Sequence, residues 1–307
     1  MILDLPATTT EKVSKKLVTI RESGGAVTLG RVLTLVVCAA EGQPTEGAID
    51  AANEASREHP CRVIVVSLGN PAAATRLDAQ IRVGGDAGAS EVVVLRLYGG
   101  LTGHASSVVT PFLLPDTPVV TWWPGDAPAD PAGDPLGRLA TRRITDAGHA
   151  SDPDAVLATR LESYSPGDSD LAWSQITYWR AILTASLDRP PFEPVTSATV
   201  AGPARSPSID LLAGWLRSQL GVDVVRTVGS FEIRLDRASG PLVLAVDQNN
   251  TAVLSNPGKP DGRIAMATRG IRECIAEELR RLDPDEIYHL ALQGVQRLSR
   301  PEAEVPA

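Results

Sequence analysis

Three short runs of nearly unbroken aliphatic residues, Arg31 to Ala40, Cys61 to Leu68 (CRVIVVSL) and Glu91 to Leu97 (EVVVLRL), fall in the first part of the chain. A strand with one wet face alternates apolar and polar residues, whereas a strand covered on both faces reads as a continuous apolar run. Between the first two runs, Thr45 stands where it can cap a helix striped by Ala48, Ala52 and Ala55. Strand, helix and strand in that order form a βαβ unit. The expected fold is therefore an α/β N-terminal domain with a mixed sheet.

The rest of the chain adds punctuation to this frame. Thr8 and Glu11 match a capping box, and Val13, Leu17 and Ile20 recur at helical spacing until Gly24 and Gly25, so the chain is expected to open with a helix. Leu77 to Val83 alternates and is followed by the turn-rich Gly84 to Gly88, which calls for a hairpin or crossover into the third run. A helix around Gly103 to Leu114, interrupted by Pro111, precedes a strand from Thr117 to Trp123 and an exposed proline-rich loop from Pro124 to Pro135. Pro153 to Glu162 reads as a helix. Asp168, Ser169 and Asp170 read as caps of a long helix through Leu187, with the stripe Trp173, Ile176, Trp179, Leu183 and Leu187. Asp188 to Pro194 (DRPPFEP) carries three prolines and reads as a linker. The expected partition is an α/β domain over 1–165, the long helix and proline-rich linker over 166–194, and an α+β C-terminal domain over 195–307. Strands are expected there near Ser197, Val222, Phe231, Leu242, Thr251 and Arg263, with a helix from Ser208 to Leu220 and two helices at the end.

Composition narrows the function classes. The 307 residues are 43% apolar and 21% charged, an ordinary globular balance sufficient for about two domains. With 29 Lys+Arg against 37 Asp+Glu, the net charge is -8, and no basic block is present. Nucleic acid and anionic membrane both require a concentrated positive face, so neither is an expected partner. The longest apolar run, Val32 to Ala40, falls far short of the roughly 20 residues of a membrane span. The opening MILDLPATTTEKVSKK has neither a basic nor an apolar signal region, and Cys38, Cys61 and Cys274 are few, odd in number and far apart. A cytoplasmic protein without disulfides is expected.

Chemical signatures are sparse. No G-x-G occurs, so no dinucleotide cofactor is expected; the nearest phosphate-loop pattern is Gly99, Gly100 and Gly103 between a strand and a helix, which also reads as a plain turn. His59, His104, His149 and His289 are isolated, with no C-x-x-C or H-E-x-x-H, so neither a metal site nor redox control through the cysteines is expected. Ser106 beside His104, and Cys61 beside His59, are only sequence neighbours. Asp168 and Asp170 admit a paired-carboxylate reading, but helix capping accounts for them. No catalytic residue emerges. Trp122 and Trp123, adjacent on a strand, must point to opposite faces, so one is expected to reach a groove or a partner. Trp122, Trp123 and Pro124, with Tyr178 on the flank of the long helix, form the expected partner-binding set.

The stretches LGRVLTLVV (Leu29 to Val37), QIRVGGDAG with EVVVLRLYG (Gln80 to Gly99), TPVVTWWPGDAP (Thr117 to Pro128) and GDSDLAWSQITYWRAILTASLD (Gly167 to Asp188) together resemble the OpcA family of glucose-6-phosphate dehydrogenase assembly proteins. The similarity runs from near Met1 to about Arg300. It implies a cytoplasmic accessory protein whose partner is glucose-6-phosphate dehydrogenase, which it activates allosterically, with no catalytic residues of its own. The alternative left by the residues alone is a sugar-phosphate or nucleotide-binding enzyme, or a metabolite sensor, using the Gly99 to Gly103 turn.

Overall fold

All three aliphatic runs are strands buried at the centre of one sheet. The computed structural model describes residues 1–23, 30–40, 45–83, 91–247, 251–265 and 269–300; Gly24, Gly25 and the turn Gly84 to Gly88 lie outside them. The chain forms two compact units, the first from Met1–His149, Ser165–Leu171 and Gly270–Pro284, the second from Ala150–Tyr164, Ala172–Arg269 and Asp285–Ala307.

In the first unit the strands are β1 (Ile2–Leu5), β2 (Leu33–Ala40), β3 (Cys61–Leu68), β4 (Arg76–Arg82), β5 (Glu91–Tyr98), β6 (Val119–Trp122), β7 (Arg142–Thr145) and β8 (Asp168–Asp170). They lie in the order β1-β4-β5-β3-β2-β6-β7-β8. From β5 to β8 every neighbouring pair is parallel, while β4 runs antiparallel to β5 and β1 to β4. Counted along the chain, the six parallel strands stand as third, second, first, fourth, fifth and sixth, the doubly wound order whose reversal, here between β2 and β6, opens a crevice in ligand-binding relatives of this topology. One face is packed by α1 (Thr10–Ser23) and α3 (Ala105–Val109), through Val13, Leu17, Val108 and Val109 against Val36, Ile64, Val93 and Leu95. The other is packed by α2 (Thr45–Glu58) and α8 (Ile271–Arg280), through Ala48, Ala52, Cys274 and Ile275 against Leu35, Val37, Val63 and Val65. The alanine stripe of α2 keeps that layer thin. Two covered faces explain why the strands are continuously apolar, each buried Val or Ile adding about 1.5–3 kcal/mol.

The second unit holds α4 (Pro153–Glu162), most of α5 (Leu171–Gln175), α6 (Thr177–Leu187), α7 (Pro207–Leu220) and α9 (Glu286–Val295). Its six-stranded sheet has the order β10-β9-β11-β12-β13-β14. These are β9 (Ser197–Gly202), β10 (Val224–Val228), β11 (Glu232–Asp236), β12 (Leu242–Val246), β13 (Thr251–Ser255) and β14 (Gly262–Ala265). Only β9 and β10 pair in parallel; the rest is an antiparallel meander. The helices α7 and α9 meet backbone to backbone. A Cβ at Gly214 would lie 2.3 Å from the Ala291 carbonyl, and one at Gly294 would lie 2.0 Å from the Gly214 carbonyl, so only glycine fits at this crossing.

Several expectations need correction. The chain opens with strand β1 rather than a helix, because Ile2 to Leu5 pair with Ala79 to Arg82. Thr9, not Thr8, caps α1 by accepting from Lys12 N–H, while Thr8 N–H donates to the Leu77 carbonyl. The region from Gly99 to Phe112 is a short α-helix between two 3₁₀ segments, with Pro111 in the second. Asp168 to Asp170 form a strand, β8, paired with β7, and the expected long helix is two, α5 and α6. The compact units also cut differently from the expected 1–165, 166–194 and 195–307: α4 belongs to the second unit, and α8 returns to the first because its Cys274, Ile275 and Leu279 complete the core beside α2.

Candidate functional site

Trp122 and Trp123 do point to opposite faces of β6, but neither is exposed. Trp122 is 0% exposed on the α2 and α8 side, with Ile144 and Cys274 in the same cluster; Trp123 is 5% exposed on the α1 side, clustered with Phe112, Leu136 and Ala140. The expectation of a partner-facing tryptophan is corrected by where the following segment goes. β6 is interior, between β2 and β7, and the chain after half-buried Pro124 folds back until the tip of the Trp123 indole lies 3.3 Å from a Cβ built on Gly137. The proline-rich loop covers the strand end instead of leaving it open.

The Gly99 to Gly103 turn is a packing device. Gly99 has φ +60, and a Cβ there would sit 2.5 Å from the Ala73 carbonyl. Its N–H already donates to the Asn70 carbonyl at 3.1 Å, and that of Gly100 to Thr75 Oγ1 at 3.2 Å, so the first half of the turn offers no spare donors to an anion. Gly103 lies in the same 3₁₀ segment, Gly99–His104.

Along β7 and β8, Asp168 and Asp170 of the sequence reading join polar partners that sequence spacing did not reveal. Arg143 binds Asp168 through Nε and donates to the Pro166 carbonyl at 2.6 Å. Asp170 accepts from Thr145 Oγ1 at 2.5 Å and from Ala147 N–H at 3.0 Å. Asp146, 1% exposed, holds His149 Nδ1 at 2.8 Å. That hydrogen bond raises the imidazole above the ordinary value of about 6.5, burial opposes it, and the charges of Asp146 and Asp170 add to it. The link favours folding with His149 protonated: the contribution is full below the unfolded value and is lost as pH rises through the higher folded one. An NMR titration should place the His149 midpoint above 6.5, and Asp146→Asn should lower it; an unmoved midpoint in that variant would show that the carboxylate does not hold the ring. The three cysteines are buried thiols. Burial pushes Cys61 up to about 12 and raises Cys38 well above its usual range, the Asp134 charge adding to Cys38.

In the second unit, α5 and α6 each carry an aromatic ring stacked by an arginine. Tyr178 is 49% exposed, with the Arg269 guanidinium 4.9 Å from its ring centroid and Arg269 Nη1 donating to the Ser174 carbonyl at 2.6 Å. Arg180 stacks 3.6 Å over Trp173, whose Nε1 donates to Asp285 at 2.8 Å, and the Trp179 and Phe231 centroids are 4.4 Å apart. A rigid, half-exposed tyrosine beside arginine has the chemistry of an interface anchor, since both residue types are enriched where binding energy concentrates. Of the expected partner-binding set, Tyr178 alone lies open in this way. Arg180 is its near neighbour in sequence, but nothing in the sequence links it to Arg269. Among the described residues no group of three or more His, Cys, Asp or Glu can hold a metal ion, and no helix is long and apolar enough to cross a membrane.

Comparison with known proteins gives one clear result. Residues 52–162 match the family model described as the glucose-6-phosphate dehydrogenase subunit N-terminal domain, OpcA_G6PD_assem, and residues 166–292 match the C-terminal domain model, OpcA_G6PD_C. No curated protein sequence gives a significant match. Among solved structures, biliverdin reductase from Synechocystis sp. PCC 6803, in complex with biliverdin and NADP+, aligns with 10% identity and a TM-score of 0.44, covering 86% of this chain and 98% of that one. An oxidoreductase from Sinorhizobium meliloti aligns with 8% identity and a TM-score of 0.44, covering 87% and 96%. Likenesses this distant carry no functional weight. The two domain models, one after the other along most of the chain, show that it belongs to the OpcA family of glucose-6-phosphate dehydrogenase assembly proteins.

Proposed function

We propose that this chain is a non-catalytic accessory protein that binds glucose-6-phosphate dehydrogenase and raises its activity by preferring the competent conformation or oligomer. Membership of the assembly family over both domains carries the proposal. The first unit supports it. Its doubly wound sheet has the strand order of a dinucleotide-binding fold, yet the sequence following β2 reads Glu41, Gly42, Gln43, Pro44, with no glycine fingerprint, and Trp122 and Trp123 fill both faces at the end of β6, beside the strand-order reversal. A cytoplasmic setting follows from the same partner.

An activator of this kind works only through differential affinity; about 1.4 kcal/mol in favour of the competent state shifts its population tenfold. The docking anchor we assign is Tyr178, braced by Arg269. Steady-state kinetics of the cognate dehydrogenase with an excess of this protein, paired with co-elution, tests the proposal. Higher maximal velocity or substrate affinity is expected, with a stable complex. Tyr178→Ala should weaken binding by about 2 kcal/mol, roughly thirtyfold, without changing the melting temperature of the free chain. Unchanged kinetics and no co-elution would reject the function; normal binding by Tyr178→Ala would reject the anchor only.

A further inference from the structure

The outer face of the six-stranded sheet in the second unit is composed differently from an ordinary solvent face. Alternation turns Val200, Ile233, Leu235, Leu242 and Leu244 inward, where all are fully buried. Strand register then lays two adjacent rows across the other face. One runs Ala201, Glu232, Ala245, Val253, and the next runs Thr199, Arg234, Val243, Ser255. Every one of these eight residues is partly or fully exposed. A half-solvated antiparallel sheet normally sends polar side chains outward. Here small and β-branched residues dominate both rows from β9 to β13, where the charges, Glu232 and Arg234, sit side by side on the same strand, β11; the first row then ends on exposed Arg263 of the edge strand β14.

We propose that this face is the interface of a homodimer, its occupant being a second copy of the chain. The two rows are complementary to each other under one operation: a two-fold axis between facing sheets, parallel to the rows and midway between them. It keeps each strand opposite itself and sets each row over the other row of the mate. Glu232 then lies against the mate's Arg234, and Arg234 against its Glu232. Ala245 meets Val243, Ala201 meets Thr199 and Val253 meets Ser255, so the smaller residue of each pair faces the larger or more polar one. Sheets stacked about 10 Å apart need side chains of this size between them. Such an isologous contact is closed and stops at two copies. Arg234 uses Nε on Asp236 at 2.9 Å, which leaves its Nη groups for the mate. Six strands spaced about 4.8 Å apart, each about five residues long at about 3.4 Å, span roughly 500 Å² in projection. That is on the scale of the roughly 800 Å² of accessible surface each partner gives to a stable interface.

The test uses the whole chain alone, so its outcome is separate from that of dehydrogenase binding. Light scattering after size exclusion, and sedimentation over a dilution series, should give the mass of two chains. Glu232→Arg sets Arg against Arg at both symmetric contacts, and Arg234→Glu sets Glu against Glu; each should raise the dimer dissociation constant about a hundredfold. Mixing the two variants restores opposite charges at both contacts, so a mixed dimer should reappear. Both sites are exposed, and circular dichroism melting should match the parent, which separates loss of dimer from loss of fold. A single-chain mass for the parent at every concentration would overturn the proposal, as would a dimer indifferent to either reversal. A monomer whose Arg234→Glu variant loses dehydrogenase binding would assign the face to the dehydrogenase instead, and would overturn it equally.

Discussion

Trp122→Ala is expected to lower folding stability by about 3–5 kcal/mol, a large share of the roughly 5–15 kcal/mol that holds a domain folded. The indole is wholly buried, and its strand register places it between Val37 of β2 and Ile144 of β7, on an interior strand of the sheet. Its truncation leaves a cavity that two neighbouring strands and the α2 layer cannot collapse to fill, because alanine already lines that layer. The indole N–H has no hydrogen-bond partner among the described residues, so Trp122→Phe relieves an unsatisfied donor while losing only part of the volume. Its cost should be a fraction of the alanine cost. Urea denaturation of the two variants, with unchanged slopes, checks both numbers; an alanine variant that melts with the parent would return Trp122 to the role of a surface anchor.

Removing Glu278 should be nearly as damaging. Its carboxylate pairs with Arg142 at 2.5 Å, with both side chains nearly inaccessible, 4% and 3% exposed. Arg142 also donates to the Asp283 carbonyl at 2.9 Å. Glu278→Ala leaves a guanidinium buried without its counter-ion, which costs about 3–5 kcal/mol, whereas replacing both partners together, as Arg142→Met with Glu278→Leu, removes the desolvation burden with the attraction and should cost far less. A double-mutant cycle in urea measures the difference. A single variant as stable as the double would mean that the guanidinium finds water.

These two positions also show what sequence reading can and cannot reach. β2, β3 and β5 were legible because a strand covered on both faces needs nothing but its own aliphatic residues. β7, with the sequence Arg142, Arg143, Ile144, Thr145, was not legible, since its burial depends on Glu278 and Asp168, partners that local periodicity cannot supply. Asp168 to Asp170 were read incompletely for the same reason: three short polar residues before a helix look like caps, and their pairing with a neighbouring strand is not visible locally. The adjacency of Trp122 and Trp123 gave their alternation correctly, while their exposure depended on the fold-back of the chain beyond Pro124. Tyr178 could be picked out from its helix, but its brace Arg269 comes from a part of the chain that only folding brings near.

The return of α8 to the first unit sets a clock on biosynthesis. Glu58 at the end of α2 and Arg280 at the end of α8 join at 3.0 Å, yet 222 positions separate them. At about 5–20 residues per second, the ribosome takes roughly ten to forty seconds to deliver the second after the first. For that interval the alanine stripe of α2 and the aliphatic strands beneath it lack their final cover. A nascent chain of this design therefore carries its most aggregation-prone surface through most of its own synthesis, and it depends on holdase chaperones or fast translation more than its modest length implies.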